Sequence, residues 1–121
     1  MIVRFTIPGP PVPKARARVV NGHAHTPERT RRYQHLVGLA ASGGMALASA
    51  RWPRDARYRV SIEIVPGTAH RFDVDNVGKA ILDGCNRVAW DDDSQVDELT
   101  IRRLPVDRLR PRVEVEVEVL G

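Results

Sequence analysis

Asp73-Val74-Asp75-Asn76-Val77-Gly78-Lys79 gathers two carboxylates, an amide and an ammonium in one short span, and the rest of the chain is read outward from it. In an extended segment residues two apart point the same way, so Asp73 and Asp75 are expected to present their oxygens to one point in space. A helix beginning near Asn76 then sets Lys79 one turn on, over the same end. A second acidic run, Asp91-Asp92-Asp93, follows the apolar pair Ala89-Trp90. Hard divalent cations take oxygen ligands, and Mg²⁺ is commonly held by a few carboxylates together with waters and substrate phosphate. The two stretches are therefore candidate halves of a metal site. Each also has a plainer use, Asp75 or Asn76 as a helix cap and the Asp run as a solvated turn.

Upstream, Tyr58 to Val65 alternates Tyr58, Val60, Ile62 and Ile64 with Arg59, Ser61 and Glu63, the clearest half-buried strand in the chain. Pro66-Gly67 turns it toward the acidic stretch. Downstream, Val77, Ala80, Ile81, Gly84, Cys85 and Val88 recur at helical spacing, which predicts a helix from Asn76 to about Val88 packed on a sheet. A dozen helical residues span on the order of 18 Å, so the chain after Trp90 is expected to fold back along the sheet to bring Asp93 near Asp75. Val96 to Leu104 and Val113 to Leu120 read as the last two strands, joined by the loop from Pro105 to Pro111. Glu114, Glu116 and Glu118 alternate with valines and belong to a solvated face rather than to a metal.

At the other end, Ile2 to Ile7 reads as a strand with its apolar weight at Val3, Phe5 and Ile7. The proline cluster from Pro8 to Pro13 ends it and runs as a stiff extended segment. Lys14, Arg16 and Arg18 alternate with small or apolar residues, so on an extended chain the three cations face one way, spaced for successive phosphates. The plainer reading is a basic arm with no specific role. Asn21-Gly22 predicts a tight turn closing a hairpin through His23 and His25. Thr26-Pro27-Glu28 predicts a helix start, with Thr26 as the cap. Tyr33, Leu36, Val37, Ala40, Ala41, Gly44, Leu47 and Ala48 then trace a long amphipathic helix. Gly43-Gly44 weakens it and predicts a kink or a close crossing. Arg29, Arg31 and Arg32 oppose the helix dipole at its start, a cost that makes sense if they meet phosphates.

The resulting order is strand, helix, strand, helix, strand, strand. It predicts a compact α/β fold, a single domain over residues 1–121, with a small mixed sheet and helices mainly on one face. The net charge of +4 hides a division. Residues 1–70 carry eleven Lys and Arg against three acids, residues 71–99 three against eight, and residues 100–121 five against four. A basic body around an acidic patch suits an enzyme that holds a polyanion and keeps a cation at the reactive phosphate; a solvated arginine-rich surface is the bland alternative. Cys85 is the only cysteine, which excludes a disulfide framework or a Cys-based zinc site within one chain. No apolar run spans a membrane and no secretory pattern occupies Met1 to Pro13, so a cytoplasmic location without membrane contact is expected.

Asp-x-Asp-Asn-x-x-Lys at 73–79, followed after a helix by Trp-Asp-Asp-Asp-Ser-Gln-Val at 90–96, resembles the RusA family of Holliday-junction resolvases. That resemblance implies a small homodimeric, Mg²⁺-dependent DNA endonuclease with a DNA four-way junction as substrate. Residue by residue it implies catalytic roles for Asp73, Asp75, Lys79 and Asp93. Asp91 precedes the expected acidic pair, so Asp92 is kept beside Asp93 as a metal ligand. It also implies a substrate-contacting loop in the basic arm. Asp73, Asp75 and Asp93 are then the inner ligands of one or two Mg²⁺ ions, and Lys79 meets charge on the phosphate or positions water. Lys14, Arg16, Arg18, Arg29, Arg31 and Arg32 grip the DNA backbone. The competing class is a non-catalytic DNA-binding module with a structural cation site, which leaves DNA uncut. A nucleotide-handling transferase ranks below both, because no phosphate-cradling glycine loop is present.

Overall fold

The computed structural model describes residues 1–15, 18–46, 48 and 50–121. Its elements are β1 (Ile2–Pro8), β2 (Arg18–Val20), β3 (His23–His25), α1 (Glu28–Met45), β4 (Tyr58–Val65), α2 (Val74–Cys85), a 3₁₀ turn (Asp93–Gln95), β5 (Val96–Arg103) and β6 (Arg112–Val119). Four strands form one mixed sheet in the order β1-β6-β4-β5. β6 runs antiparallel to both β1 and β4, whereas β5 runs parallel to β4. Two parallel neighbours cannot be joined by a hairpin, so α2 is the crossover between them. The predicted order of elements and the mixed sheet are both found.

Alternation decides which face of the sheet is covered. Val3, Phe5 and Ile7 of β1, Val60, Ile62 and Ile64 of β4, and Val113, Val115 and Val117 of β6 are buried under the helices. The residues between them stay on the open face and pair across strands: Arg4 with Glu116, Arg59 with Glu98 and Glu118, and Arg102 with Glu63. The β6 glutamates are thus a solvated, ion-paired face, as their spacing predicts. Such exposed pairs contribute only about 0 to 1 kcal/mol each, so the covered apolar face carries the stability.

The helices differ from expectation in ways that have local causes. Pro27, not Thr26, occupies the cap position of α1, and no side chain caps it. Glu28 instead pairs with Arg32 one turn on, at 2.8 Å. α1 continues through Gly43 and Gly44 to Met45. A Cβ at Gly44 would lie 2.7 Å from Phe5 Cβ, so the missing side chain lets the helix approach β1. The close helix crossing falls elsewhere: a Cβ at Gly84 would lie 2.7 Å from Val37 Cβ and 2.8 Å from the Gln34 carbonyl oxygen. Leu36, Ala40 and Ala48 pack against the core, while Leu47 lies outside the described residues.

α2 begins two residues before the predicted Asn76 and ends at Cys85 rather than near Val88. It stops because Arg87 takes a left-handed backbone with φ of 66° and Asn86 accepts the Trp90 indole N–H at 2.7 Å. Trp90 is fully buried, beside Tyr58, whose other side faces Trp52; both ring-centroid distances are 5.7 Å. Among the described residues no helix is long and apolar enough to cross a membrane.

Candidate active site

Asp73 is the N-cap residue of α2, with an extended backbone (φ −84°, ψ 121°) and no side-chain cap bond. Its Oδ2 accepts from the Asn76 amide nitrogen Nδ2 at 3.3 Å. Asp75 is already in the first helical turn, and its Oδ1 accepts from the Asn76 backbone N–H at 3.0 Å. The extended i, i+2 geometry expected for this pair is therefore not what the chain adopts, because the helix starts at Val74. Both carboxylates remain exposed at the helix N-terminus, where the dipole favours negative charge. Lys79 is exposed on the same helix and has no ion pair among the described residues.

The approach to Asp73 is held from β5. The Arg103 guanidinium lies 4.6 Å from the Phe72 ring centroid and donates to the His70 carbonyl oxygen at 3.3 Å. Gly78 faces Ile101, so α2 runs down the sheet from the Arg103 end of β5 toward its beginning.

The second acidic run lies at that beginning. Val96 pairs with Tyr58 at the start of β4, and Asp93 precedes it by three residues. Asp73 and Asp75 are at the Val65 end of β4, and Asp93 is at the Tyr58 end. Twelve residues of α2 separate them, roughly 18 Å at the helical rise. The chain does not fold back along the sheet after Trp90, because β5 enters the sheet parallel to β4 and starts at the far end of the crossover.

Within the second run the three aspartates differ. Asp91 pairs with Arg54 at 3.3 Å. Asp92 caps the 3₁₀ turn, accepting from the Ser94 backbone N–H at 3.0 Å. Hydrogen bonds from Ser94, the side chain's first and the backbone's next, hold the Asp92 carboxyl below the usual carboxylate range. Asp93 has neither a hydrogen bond nor an ion pair to its carboxylate among the described residues. That leaves Asp93, rather than Asp91 or Asp92, as the carboxylate of this run without a partner among the described residues.

As a donor set these residues suit a hard cation: Asp73 and Asp75 are exposed and Asp93 half-buried, and among the described residues no arginine pairs with any of the three. As a cage within one chain they do not fit. Among the described residues no group of three or more His, Cys, Asp or Glu side chains is arranged to hold a metal. Asp73 and Asp75 form an open pair, and Asp93 stands a helix length away.

The basic residues also separate. Lys14 is not a free cation: its ammonium lies 2.6 Å from Asp83 Oδ2 on α2, and its backbone N–H donates to the Asn76 carbonyl at 2.9 Å. Ala15 donates its N–H to Thr30 Oγ1 at 3.2 Å, which ties the same segment to the start of α1. Arg16 and the Arg18 side chain lie outside the described residues. Beyond them β2 and β3 pair as the predicted hairpin, with Asn21 and Gly22 both at positive φ in the turn. Arg29 and Arg31 are exposed on α1 with no acidic partner among the described residues, and Arg32 pairs only with Glu28.

Sequence reasoning missed the residues that hold the two acidic runs, namely Arg103, Arg57 and Gln95. For Gln95 a signal was present, since Asp92-x-x-Gln95 has the form of a capping box. Arg103 over Phe72 joins residues brought together only by the crossover, and no local pattern announces it.

No curated protein matches the chain. The family model described as Endodeoxyribonuclease RusA matches residues 8–118, spanning both acidic motifs, the basic arm and the elements from β2 into β6, with β1 outside it but for Pro8, and the chain belongs to the RusA endodeoxyribonuclease family.

Proposed function

We propose that this protein is a Mg²⁺-dependent, structure-selective endonuclease that resolves DNA four-way junctions by paired symmetric cuts, acting as a homodimer. The observation that carries the reading is the pair of exposed carboxylates at the N-terminal end of α2 with exposed Lys79 on the same helix, together with exposed α1 arginines that have no acidic partner among the described residues, in a chain of this nuclease family. Four-way junctions need two matched cuts, and a two-fold dimer with one site per subunit supplies them.

The separation of Asp93 from Asp73 and Asp75 sharpens the role of the dimer. In this reading each site combines Asp73 and Asp75 of one chain with Asp93 of the partner subunit. A divalent cation bound there would supply Lewis acidity at the scissile phosphate and favour ionisation of the attacking water. The chain's own residues do the rest. Lys79 offers a compact positive charge to the phosphate as it gains charge on attack. Arg29 and Arg31 hold the DNA backbone away from the cleaved bond, and their charge steers the polyanion toward the acidic end of α2.

A labelled four-way junction incubated with and without Mg²⁺, beside a linear duplex of the same sequence, tests the proposal. The expected result is paired nicks in the junction only, and only with metal. Binding without any cut under all conditions would instead identify a DNA-binding module.

A further inference from the structure

Among the described residues β5 has a hydrogen-bonded strand on one side only, which makes it an open edge of the sheet. Leu104, just past its end, turns its N–H to the Ile64 carbonyl oxygen of β4 at 2.8 Å. Backbone groups alternate in direction along a strand, so Asp97, Leu99, Ile101 and Arg103 turn theirs away from β4. Such a row is a template for one more strand.

The order of charges along β5 selects the strand that fits. Asp97 and Glu98 stand near its start and Arg102 and Arg103 at its end, so a second β5 running antiparallel sets acid against base at both ends. A two-fold axis normal to the sheet gives that pairing and keeps the helices of both copies on one face. Residues opposite one another must then share a face, so the axis falls at a residue and not between two. Placed at Thr100, it sets Asp97 against Arg103, Glu98 against Arg102 and Leu99 against Ile101. Placed at Leu99, it would set Asp97 against Ile101; placed at Ile101, Leu99 against Arg103. Only the Thr100 register matches charge with charge and apolar with apolar.

Exposure agrees with this register. Leu99 pairs with Val60 and Ile101 with Ile62, so both lie on the face the helices cover, yet Leu99 is 42% exposed whereas Val60 is fully buried. Asp97, Glu98 and Arg102 are held within the chain by Arg57, Arg59 and Glu63 but stay exposed. Carboxylates and guanidinium groups have further lone pairs and donors for a second partner. The opposite edge, β1, offers no such match: its one charged side chain, Arg4, is taken by Glu116, and the strand ends at Pro8.

We infer that the β5 edge is the surface through which two copies of this chain pair, antiparallel about Thr100, joining their sheets into one. The inference deepens the homodimer of the proposed function and rests on it. In this arrangement the start of one β5 lies beside the end of the other. Asp93 of the partner subunit, three residues before that start, is thereby carried to the Arg103 end, from which α2 sets out.

The test needs neither DNA nor metal. Sedimentation equilibrium of the full chain over a range of concentrations reads the dimer dissociation constant. Glu98→Arg and Arg102→Glu each set like charges opposite one another at two places in a homodimer, whereas an equal mixture of the two variants restores opposite charges at both. Each variant alone is expected to raise the dissociation constant about 10-fold or more, and the mixture to return it near wild type. Thr100→Cys is the second probe, in a chain whose one native cysteine, Cys85, is buried. Facing positions without mutual hydrogen bonds bring Cα atoms to about 4.5 Å, so oxidation by diamide should link this variant to its own copy. It serves alone if the charge variants do not fold. Weakening without recovery in the mixture overturns the register. A wild-type dimer that the charge variants do not weaken and Thr100→Cys does not cross-link overturns the inference and leaves the homodimer standing. A wild-type chain that stays monomeric throughout overturns the homodimer, and this surface with it.

Discussion

Lys14 and Asp83 are 69 residues apart and meet at 2.6 Å, with Gln34 of α1 donating to the same Asp83 oxygen at 3.4 Å. The root of the basic arm is thus tied to both helices just before the residues that lead into the hairpin. A cation already matched by a carboxylate has little net charge to give a phosphate. Lys14 is therefore expected to anchor the arm, and Arg29 and Arg31 of α1, which have no acidic partner among the described residues, to carry the contact with DNA under the proposed function.

Salt dependence separates these roles. Removing one cation that touches a duplex phosphate lowers the slope of log affinity against log salt by roughly 0.9. Lys14→Ala is expected to change that slope by less than about 0.3, a third of the effect of one such cation. Replacing Arg29 and Arg31 together by Ala should lower it by up to roughly 1.8. Fluorescence anisotropy of a labelled junction over a salt series measures both, and a drop of roughly 0.9 for Lys14→Ala would return that residue to the DNA interface.

Tyr33 is buried in the core with a hydroxyl that has no partner among the described residues, and burial drives its pKa upward. A hydroxyl desolvated without a hydrogen bond costs about 1 to 3 kcal/mol. Tyr33→Phe removes that oxygen and leaves the ring, so it should stabilise the fold by about 1 kcal/mol, a rise of roughly 3 to 6 °C in Tm. Calorimetry of the two proteins checks it, and a lower Tm for Tyr33→Phe would mean that the hydroxyl is bonded in solution.

How far the sequence could be read depended on the range of each interaction. β4 has the predicted bounds, Tyr58 to Val65, because its period-2 pattern meets one covered and one open face. The Asn21-Gly22 turn was equally local. Asp73 and Asp75 were identified by residue type, but their geometry was not, since an extended pair and a helix N-terminus share the same letters. The position of Asp93 depended on β5 pairing parallel to β4, a contact between strands some 40 residues apart that no window of sequence reports. Asp92 and Asp93 could not be ranked from their order in the chain. The structure distinguishes them only by partners: Asp92 accepts from the Ser94 N–H, and Asp93 has no partner among the described residues.

That far placement of Asp93 yields a test by mixing. Asp75→Asn and Asp93→Asn proteins should each be unable to cut a junction. If each site draws Asp93 from the partner subunit, a mixed dimer of the two variants contains one site with both defects and one with neither. Co-refolded or co-expressed variants should then nick junctions on one strand, at up to about half the wild-type number of sites per dimer. If each chain builds its own site, both sites of the mixed dimer are defective and the mixture stays inactive. Product analysis on a denaturing gel distinguishes a single nick from paired cuts.

Lys79 is the last member of the motif, and the composition of the chain sets up its test. Of 19 Lys and Arg residues only Lys14 and Lys79 are lysines. Lys14 is committed to Asp83, whereas Lys79 is exposed and unpaired among the described residues, including with Asp75 one turn before it. A surface pair at that spacing would have explained the lysine as helix stabilisation worth about 0.3 to 0.5 kcal/mol; the pair is not formed. A compact ammonium can approach a phosphate beside a cation, whereas a guanidinium is wider and prefers a two-pronged grip on a carboxylate. Asp73 and Asp75 offer such a grip close by. Lys79→Arg should therefore reduce single-turnover cleavage at least about tenfold, on the order of 1.4 kcal/mol in the barrier, while junction affinity and Tm stay near wild type. Full activity in a normally stable Lys79→Arg protein would show that position 79 needs only a positive charge, and would move Lys79 from the chemistry to general attraction of the DNA.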